Sequence, residues 1–248
     1  MLTQKRREEI LKIISEKGAV SVSELTSALG ASESTVRRDL IFLSNLGKLN
    51  KIHGGASITK KEMVTIDDKM SERIQKNAAE KTAIAKYAAS QIQNGDFVFI
   101  DAGSTTLQMI DFIEADGASF VTNGISHIQK LVARGFKSYI LGGEIKAMTE
   151  AVVGLVAAKN IHNYNFTKAF LGTNGISLRQ GFSTPDPDEA FLKAAAIERS
   201  FVSYTLADSS KFGKISTVSY ASLDSSCIIT DRLTDESIAE KTVVKEVL

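Results

Sequence analysis

The stretch Ser21–Ala56 constrains the fold most, because two short capped helices, a turn and a basic, glycine-tipped hairpin follow one another without interruption. Ser21 and Glu24 have the spacing of a capping box, and Val20 and Leu25 that of the hydrophobic staple that fixes a chain's entry into a helix. A helix therefore starts near Val22, buries Leu25, Ala28 and Leu29, and ends at Gly30, the residue type that tolerates a left-handed backbone. After a tight turn, Ser32 is placed to cap a second helix, Ser32–Leu46, with Gly47 as its stop. At 100° per residue Val36, Leu40 and Leu43 form a narrow apolar seam, while Ser34 and Arg38 point the opposite way, flanked by Arg37 and Ile41. A hydroxyl-and-guanidinium face of this kind suits the major groove, where arginine pairs bidentately with guanine and short polar side chains sit near base edges. Ser32, Ser34, Thr35, Arg37 and Arg38 are the expected DNA-facing residues of the recognition helix. Lys48, Lys51 and His53 decorate the alternating segment that closes on Gly54-Gly55, a wing to lie on phosphate. With the amphipathic helix Thr3–Lys17, whose Ile10, Leu11, Ile13 and Ile14 complete a three-helix core, residues 1–56 read as a winged helix-turn-helix.

Charge distribution agrees. Residues 1–60 hold 10 Lys and Arg against 6 Asp and Glu, a net of +4, so the remainder carries −3 of the chain's total of +1. The basic excess sits on the module read as DNA-binding. The lone cysteine, Cys227, lies in an apolar run and reads as a buried structural thiol, which excludes a disulfide framework or a cysteine metal site. His53, His127 and His162 are scattered; His127 and His162 read as surface or helix-packing residues, and neither a metal nor a cofactor is expected. The N-terminus lacks a signal-peptide core and no apolar run approaches membrane-spanning length, so a cytoplasmic protein with no membrane partner is expected.

Residues 57–70 are polar and read as a linker; residues 71–248 read as a second, larger domain. After the helical stretch Ser71–Gln93, short apolar runs (Phe97–Ile100, Ser119–Thr122, Tyr139–Leu141, Ala169–Leu171, Val202–Ala207, Cys227–Ile229) alternate with helical patterns at Thr105–Ile113, Ile125–Ala133, Ala151–Asn160 and Asp188–Glu198. Continuous apolar strands separated by helices imply an α/β domain whose mostly parallel sheet is covered on both faces. Ligands bind such sheets beyond the carboxyl ends of the strands. Those ends are uniformly small or polar: Asp101 to Thr106, Thr122-Asn123, Gly142-Gly143, Gly172-Thr173-Asn174 and Asp208 to Lys211. Gly103 lets the backbone turn closely, Ser104, Thr105 and Thr106 present hydroxyls and N–H groups at a helix start, and Lys211 supplies a matching cation. The expectation is a small anionic ligand.

With these residues in view, the chain resembles the DeoR family of bacterial sugar-metabolism repressors over nearly its whole length. The first module carries the resemblance in Ser32-Glu-Ser-Thr-Val-Arg-Arg-Asp-Leu and Lys51-Ile-His-Gly-Gly-Ala. The second carries it in Asp101-Ala-Gly-Ser-Thr-Thr, Thr122-Asn123, Gly142-Gly143-Glu, Gly154, Gly172-Thr-Asn-Gly, Glu189 with Lys193, and Asp208-Ser-Ser-Lys-Phe-Gly. Within the family the chain is most similar to fructose-operon repressors, through Thr105–Phe112 and Phe182–Ala190. The resemblance implies a repressor that binds operator DNA and is released by a phosphorylated sugar, fructose 1-phosphate first; because recognition helices work in symmetric pairs on two half-sites, a homodimer or homotetramer is expected. It also implies that Asp101, Gly103, Ser104, Thr105, Thr106, Thr122, Asn123, Gly142, Gly143, Gly172, Thr173, Asn174, Glu189, Lys193, Asp208 and Lys211 belong to the effector site. The sensor domain is itself similar to ribose-5-phosphate isomerase, so an isomerase with an accessory DNA-binding module is the rival. By that likeness the acidic catalytic positions fall on Asn174 and Ser177 and the lysine on Gln180. Proton shuttling needs a base whose charge state can change, which Asn and Gln cannot supply. A non-enzymatic sensor is therefore expected.

Overall fold

In a computed structural model, residues 3–45, 48–57 and 63–248 are described. The chain forms two compact units, Met1–Lys61 and Glu62–Leu248.

The first unit runs α1 (Thr3–Lys17), β1 (Ala19–Ser21), α2 (Val22–Leu29), α3 (Glu33–Asn45), β2 (Asn50–Ile52) and β3 (Gly55–Ser57). The capping box is present in both directions: Glu24 N–H donates to Ser21 Oγ at 3.2 Å, and Ser21 N–H to Glu24 Oε2 at 2.8 Å. Gly30 closes α2 at φ 58°, in the left-handed region. Ser32 caps α3, its Oγ accepting from Thr35 N–H at 3.4 Å. Leu46 and Gly47, the expected end of that helix, lie outside the described residues. Ile10, Ile14, Leu25, Val36, Leu40 and Leu43 are buried together, and β1, β3 and β2 form an antiparallel three-stranded sheet whose β2–β3 hairpin turns at Gly54. This is the winged helix-turn-helix expected from the sequence.

The second unit begins at β4 (Met63–Val64), α4 (Met70–Gln75) and α5 (Ala78–Ser90), then alternates β5 (Phe97–Ile100), α6 (Ser104–Met109), β6 (Ser119–Thr122), α7 (Ile125–Ala133) and β7 (Lys137–Ile140). A hairpin of β8 (Glu144–Lys146) and β9 (Ala151–Val153) leads to α8 (Gly154–Ile161), β10 (Phe166–Gly172), β11 (Gly175–Ser177), β12 (Gly181–Thr184), α9 (Pro187–Glu198) and β13 (Ser200–Leu206). Then come β14 (Ile215–Ser216), β15 (Val218–Ala221), β16 (Cys227–Thr230) and β17 (Val244–Glu246). The central sheet has seven strands, all parallel, in the order β17-β16-β13-β10-β5-β6-β7. Alternation along β5 and β10 sends Val98, Ile100 and Phe170 to a core shared with α5, α6 and α7, and Phe99, Ala169 and Leu171 to one shared with α8 and α9.

Three expectations are corrected. Ala151–Val153, read as the start of a helix, is a strand, and α8 starts at Gly154. The segment read as linker is only partly so: Ser57 ends β3, residues 58–62 lie outside the described residues, and Met63–Val64 pairs in parallel with Ile215–Ser216 of the second unit. Cys227 is half-buried rather than buried, and burial raises its thiol pKa.

Candidate functional site

The strand order decides where a crevice opens. From β5 the chain proceeds outward through β6 and β7, then returns to the other side of β5 as β10 and continues outward through β13. The crossovers leave in opposite directions between β5 and β10, and a crevice opens at the carboxyl ends there. A cavity of about 190 Å³ occupies that place. Gly103, Ser104 and Thr105 after β5, Gly172 at the end of β10 with Thr173 and Asn174 after it, and Asp208 and Lys211 after β13 line it, eight of the expected residues brought together.

The other expected residues do not line it. Asp101 and Lys193 form a buried ion pair behind the wall; Lys193 Nζ also donates to Gly172 O at 3.1 Å, and Gly172 N–H donates to Asp101 Oδ2 at 3.0 Å. They position Gly172 rather than face the cavity. Thr106 Oγ1 accepts from Gly103 N–H at 3.0 Å and donates to Asp101 O at 2.6 Å, closing the loop from within. Thr122 Oγ1 donates to Ile100 O at 2.6 Å, and Asn123 Oδ1 accepts from Ala102 N–H at 3.0 Å, so β6 supports the β5 loop from the far side. Gly142 and Gly143 turn the chain out of β7, two strands beyond β5; a Cβ on Gly143 would lie 2.4 Å from Val153 O. Glu189 accepts from Thr149 Oγ1 at 2.8 Å and Lys146 Nζ at 3.3 Å. Of the positions weighed for isomerase chemistry, Asn174 reaches the cavity, whereas Ser177 and Gln180 bond each other in the β11–β12 turn, Ser177 Oγ donating to Gln180 Oε1 at 2.7 Å.

Sequence reasoning missed the cations. Arg73, Lys76, Lys81 and Lys214 join Lys211 around the cavity, against the carboxylates of Asp68 and Asp208. Lys81 is 5% exposed; its Nζ donates to Ser104 Oγ at 3.0 Å and to the Arg73 carbonyl. Burial pushes Lys81 down to about 8, with Asp208 pulling it back and Lys211, Arg73 and Lys76 adding to the fall. Burial also lowers Lys211, again opposed by Asp208. The N-terminus of α6, a helix of six residues, offers at most a partial charge, whereas the lysines and Arg73 around the cavity each carry a whole one when protonated. His127, read as a surface or packing residue, is fully buried, its Nε2 3.0 Å from Gly103 O and 3.1 Å from Thr106 Oγ1. Burial drops its pKa to about 4, so it holds the β5 loop as a neutral ring. No group of His, Cys, Asp and Glu with metal-binding geometry occurs among the described residues.

In the first unit Ser32, Ser34, Arg37, Arg38, Lys48, Lys51 and His53 are exposed and Thr35 half-exposed. Arg37 Nε donates to Glu33 Oε1 at 2.8 Å, and Arg37, Lys51 and His53 share a cleft of about 220 Å³ between α3 and the wing. Asp39, inside α3, is 2% exposed and accepts from Arg6 Nε at 2.7 Å and Arg7 Nε at 2.8 Å. Burial alone would raise its pKa; the two guanidiniums outweigh that and hold it low.

Comparison with known proteins agrees with both units. The family model of the DeoR-like helix-turn-helix domain matches residues 6–62, and that of the DeoR C terminal sensor domain matches residues 76–232. The chain belongs to the DeoR family. It is 43% identical over 251 residues, 100% of this chain and 99% of the other, to a Bacillus subtilis (strain 168) protein named an uncharacterized HTH-type transcriptional regulator FruR. It is 33% identical over 246 residues, 97% and 96% of the two chains, to the lactose phosphotransferase system repressor of Staphylococcus aureus (strain NCTC 8325 / PS 47). Among solved structures, ribose 5-phosphate isomerase A from Methanocaldococcus jannaschii aligns over 55% of each chain at TM-score 0.42 and 14% identity. As a DeoR-family member the chain is a DNA-binding transcriptional regulator and not an enzyme. No helix among its described residues is long and apolar enough to cross a membrane.

Proposed function

We propose that this DeoR-family regulator is a cytoplasmic repressor of a sugar-utilisation operon, released from operator DNA when a phosphorylated sugar occupies the cavity of its second unit. The observation that carries the reading is the cavity's charge: five cationic side chains, Arg73, Lys76, Lys81, Lys211 and Lys214, against the two carboxylates Asp68 and Asp208. Two of those lysines have pKa values lowered by burial, a cost that a phosphate dianion offsets. Hydroxyls of Ser104 and Thr105 and the amide of Asn174 beside them suit phosphate and sugar hydroxyls. Fructose 1-phosphate is the first candidate, from the likeness to fructose-operon repressors; fructose 6-phosphate and tagatose phosphates follow. The names of the two relatives, FruR and a lactose phosphotransferase system repressor, agree with carbohydrate control. Ser32, Ser34, Thr35, Arg37 and Arg38 read the operator, with Lys48, Lys51 and His53 on its backbone. Because one such module covers a single half-site, the protein acts as a homodimer or homotetramer.

The test is calorimetric titration of free and operator-bound protein with fructose, fructose 1-phosphate and inorganic phosphate. Fructose 1-phosphate should bind far more tightly than fructose, and more tightly without operator than with it. Equal affinity for fructose and its phosphate refutes the anion site; equal affinity in both DNA states refutes the switch, since a ligand that does not distinguish two states shifts neither.

A further inference from the structure

The segment that leads out of the helix-turn-helix unit enters the second unit along the rim of the cavity. Met63–Val64 pairs with Ile215–Ser216, and Val64, Ile66 and Asp68 are part of the cavity wall. Two carboxylates fasten it: Asp67 Oδ1 accepts from Asn174 Nδ2 at 2.7 Å, and Asp68 Oδ2 accepts from Lys76 Nζ at 2.8 Å. Asn174 and Lys76 are themselves cavity-lining residues. The hydrogen bond from Lys76 holds the Asp68 carboxyl low against the opposing effect of burial, and the charges of Lys76, Lys211 and Arg73 add to the lowering. Asp68 thus draws on three of the cations that give the cavity its positive field.

We propose that Asp68 is an internal competitor for the anionic ligand. Its carboxylate partly neutralises the cations a phosphate needs, and phosphate binding displaces residues 63–68 from the rim. That segment runs on, through residues 58–62, into the DNA-binding unit, so its displacement is the first mechanical consequence of ligand binding. The inference rests on reading the cavity as a phosphorylated-sugar site. It adds a specific residue that sets the site's affinity, and a specific strand pair, β4–β14, that is lost when the site fills.

The experiment compares the full-length wild type with Asp68→Asn and with Glu114→Gln, an equal charge change at an exposed position outside the cavity. Each is titrated with inorganic phosphate and with fructose 1-phosphate, and amide hydrogen exchange of residues 63–68 is followed with and without fructose 1-phosphate. Asp68→Asn should bind both probes on the order of tenfold more tightly, because a like charge near the site is gone; Glu114→Gln should match wild type. Exchange in residues 63–68 should accelerate when wild type is saturated. If wild type binds and Asp68→Asn does so no more tightly, or Glu114→Gln gains as much, the competitor is refuted while the site stands. Slower exchange in residues 63–68 on saturation refutes the displacement. If neither wild type nor Asp68→Asn binds either probe, the cavity reading falls, and the competitor with it.

Discussion

Lys193→Met should be the most damaging single substitution at the site that leaves the cavity's lining side chains in place. The side chains of Lys193 and Asp101 are each 6% exposed, and the ammonium has two partners, Asp101 Oδ2 and Gly172 O. Methionine fills much of the volume but leaves the Asp101 carboxylate buried with the Gly172 N–H as its remaining donor. Breaking a buried pair from one side costs about 3–5 kcal/mol, most of it the penalty of the orphaned charge. For a unit of this size each kcal/mol moves Tm by roughly 2–4 °C, so a fall of roughly 6–20 °C is expected. Asp101→Asn combined with Lys193→Met removes both charges and should recover a large part of that loss, a coupling that a double-mutant cycle reads directly. All five tyrosines (87, 139, 164, 204 and 220) lie in the second unit and the chain has no tryptophan, so urea unfolding followed by tyrosine fluorescence reports this unit alone. A loss below about 1 kcal/mol for Lys193→Met, or a double variant as unstable as the sum of the singles, refutes the argument that the pair is a buried clamp on Gly172.

Four further outcomes test the cavity and the DNA-binding unit. Phosphate affinity should fall as pH rises above about 8, where Lys81 loses its proton in the ligand-free protein, and binding near pH 9 should take up a proton; calorimetry in buffers of unlike ionisation enthalpy measures this, and zero uptake contradicts it. The same group makes the ligand-free fold gain stability between pH 8 and 10.5, because there the unfolded chain holds a proton that the folded chain has released. Arg38→Ala should weaken operator binding by about 1–3 kcal/mol more than it weakens random DNA, whereas Lys51→Ala should weaken both alike and reduce the salt slope by about 1; fluorescence anisotropy at several salt concentrations separates them, and equal losses on both DNAs for Arg38→Ala rule it out as a base reader. Lys211→Ala should keep operator affinity and lose the response to fructose 1-phosphate, and loss of operator binding without sugar by a folded variant argues against a separate sensor.

The elements legible in the sequence are those with local causes. The Ser21–Glu24 box, Gly30, the Val36–Leu40–Leu43 seam and the Gly54 turn are short-range chemistry, and the structure shows each in place. The parallel sheet was legible as a class because its central strands, buried on both faces, are continuous apolar runs. What local pattern cannot carry is order. Five strand ends of similar composition drew equal weight, yet β6 and β7 lie on the far side of β5 from the switch point. Thr122, Asn123, Gly142 and Gly143 therefore support the site or the fold without lining the cavity. Met63–Val64 was hidden for a related reason: two residues pair with a strand 152 positions away, leaving no periodic trace.

The residues overlooked near the site did leave a signal, of a kind shared by both units. Lys81 precedes Ile84, Ala85 and Ala88 at helical spacings of three, four and seven, on the buried stripe of α5, and Asp39 stands between Val36 and Leu43 on that of α3. A charged residue on an apolar stripe must find partners or remain costly, and the two resolve this differently. Asp39 is met by two arginines from α1, which satisfies it within the fold and ties α3 to α1. Lys81 is met by a hydroxyl and a carbonyl, and among the described residues no carboxylate comes within ion-pair distance of it. Its positive charge is thus buried without a full counter-charge, at a cost to the ligand-free state that the proposed phosphate would lower on binding. Of these two charges, the one the fold neutralises belongs to structure, and the one it leaves without a full counter-charge is where the proposed anionic ligand would fit.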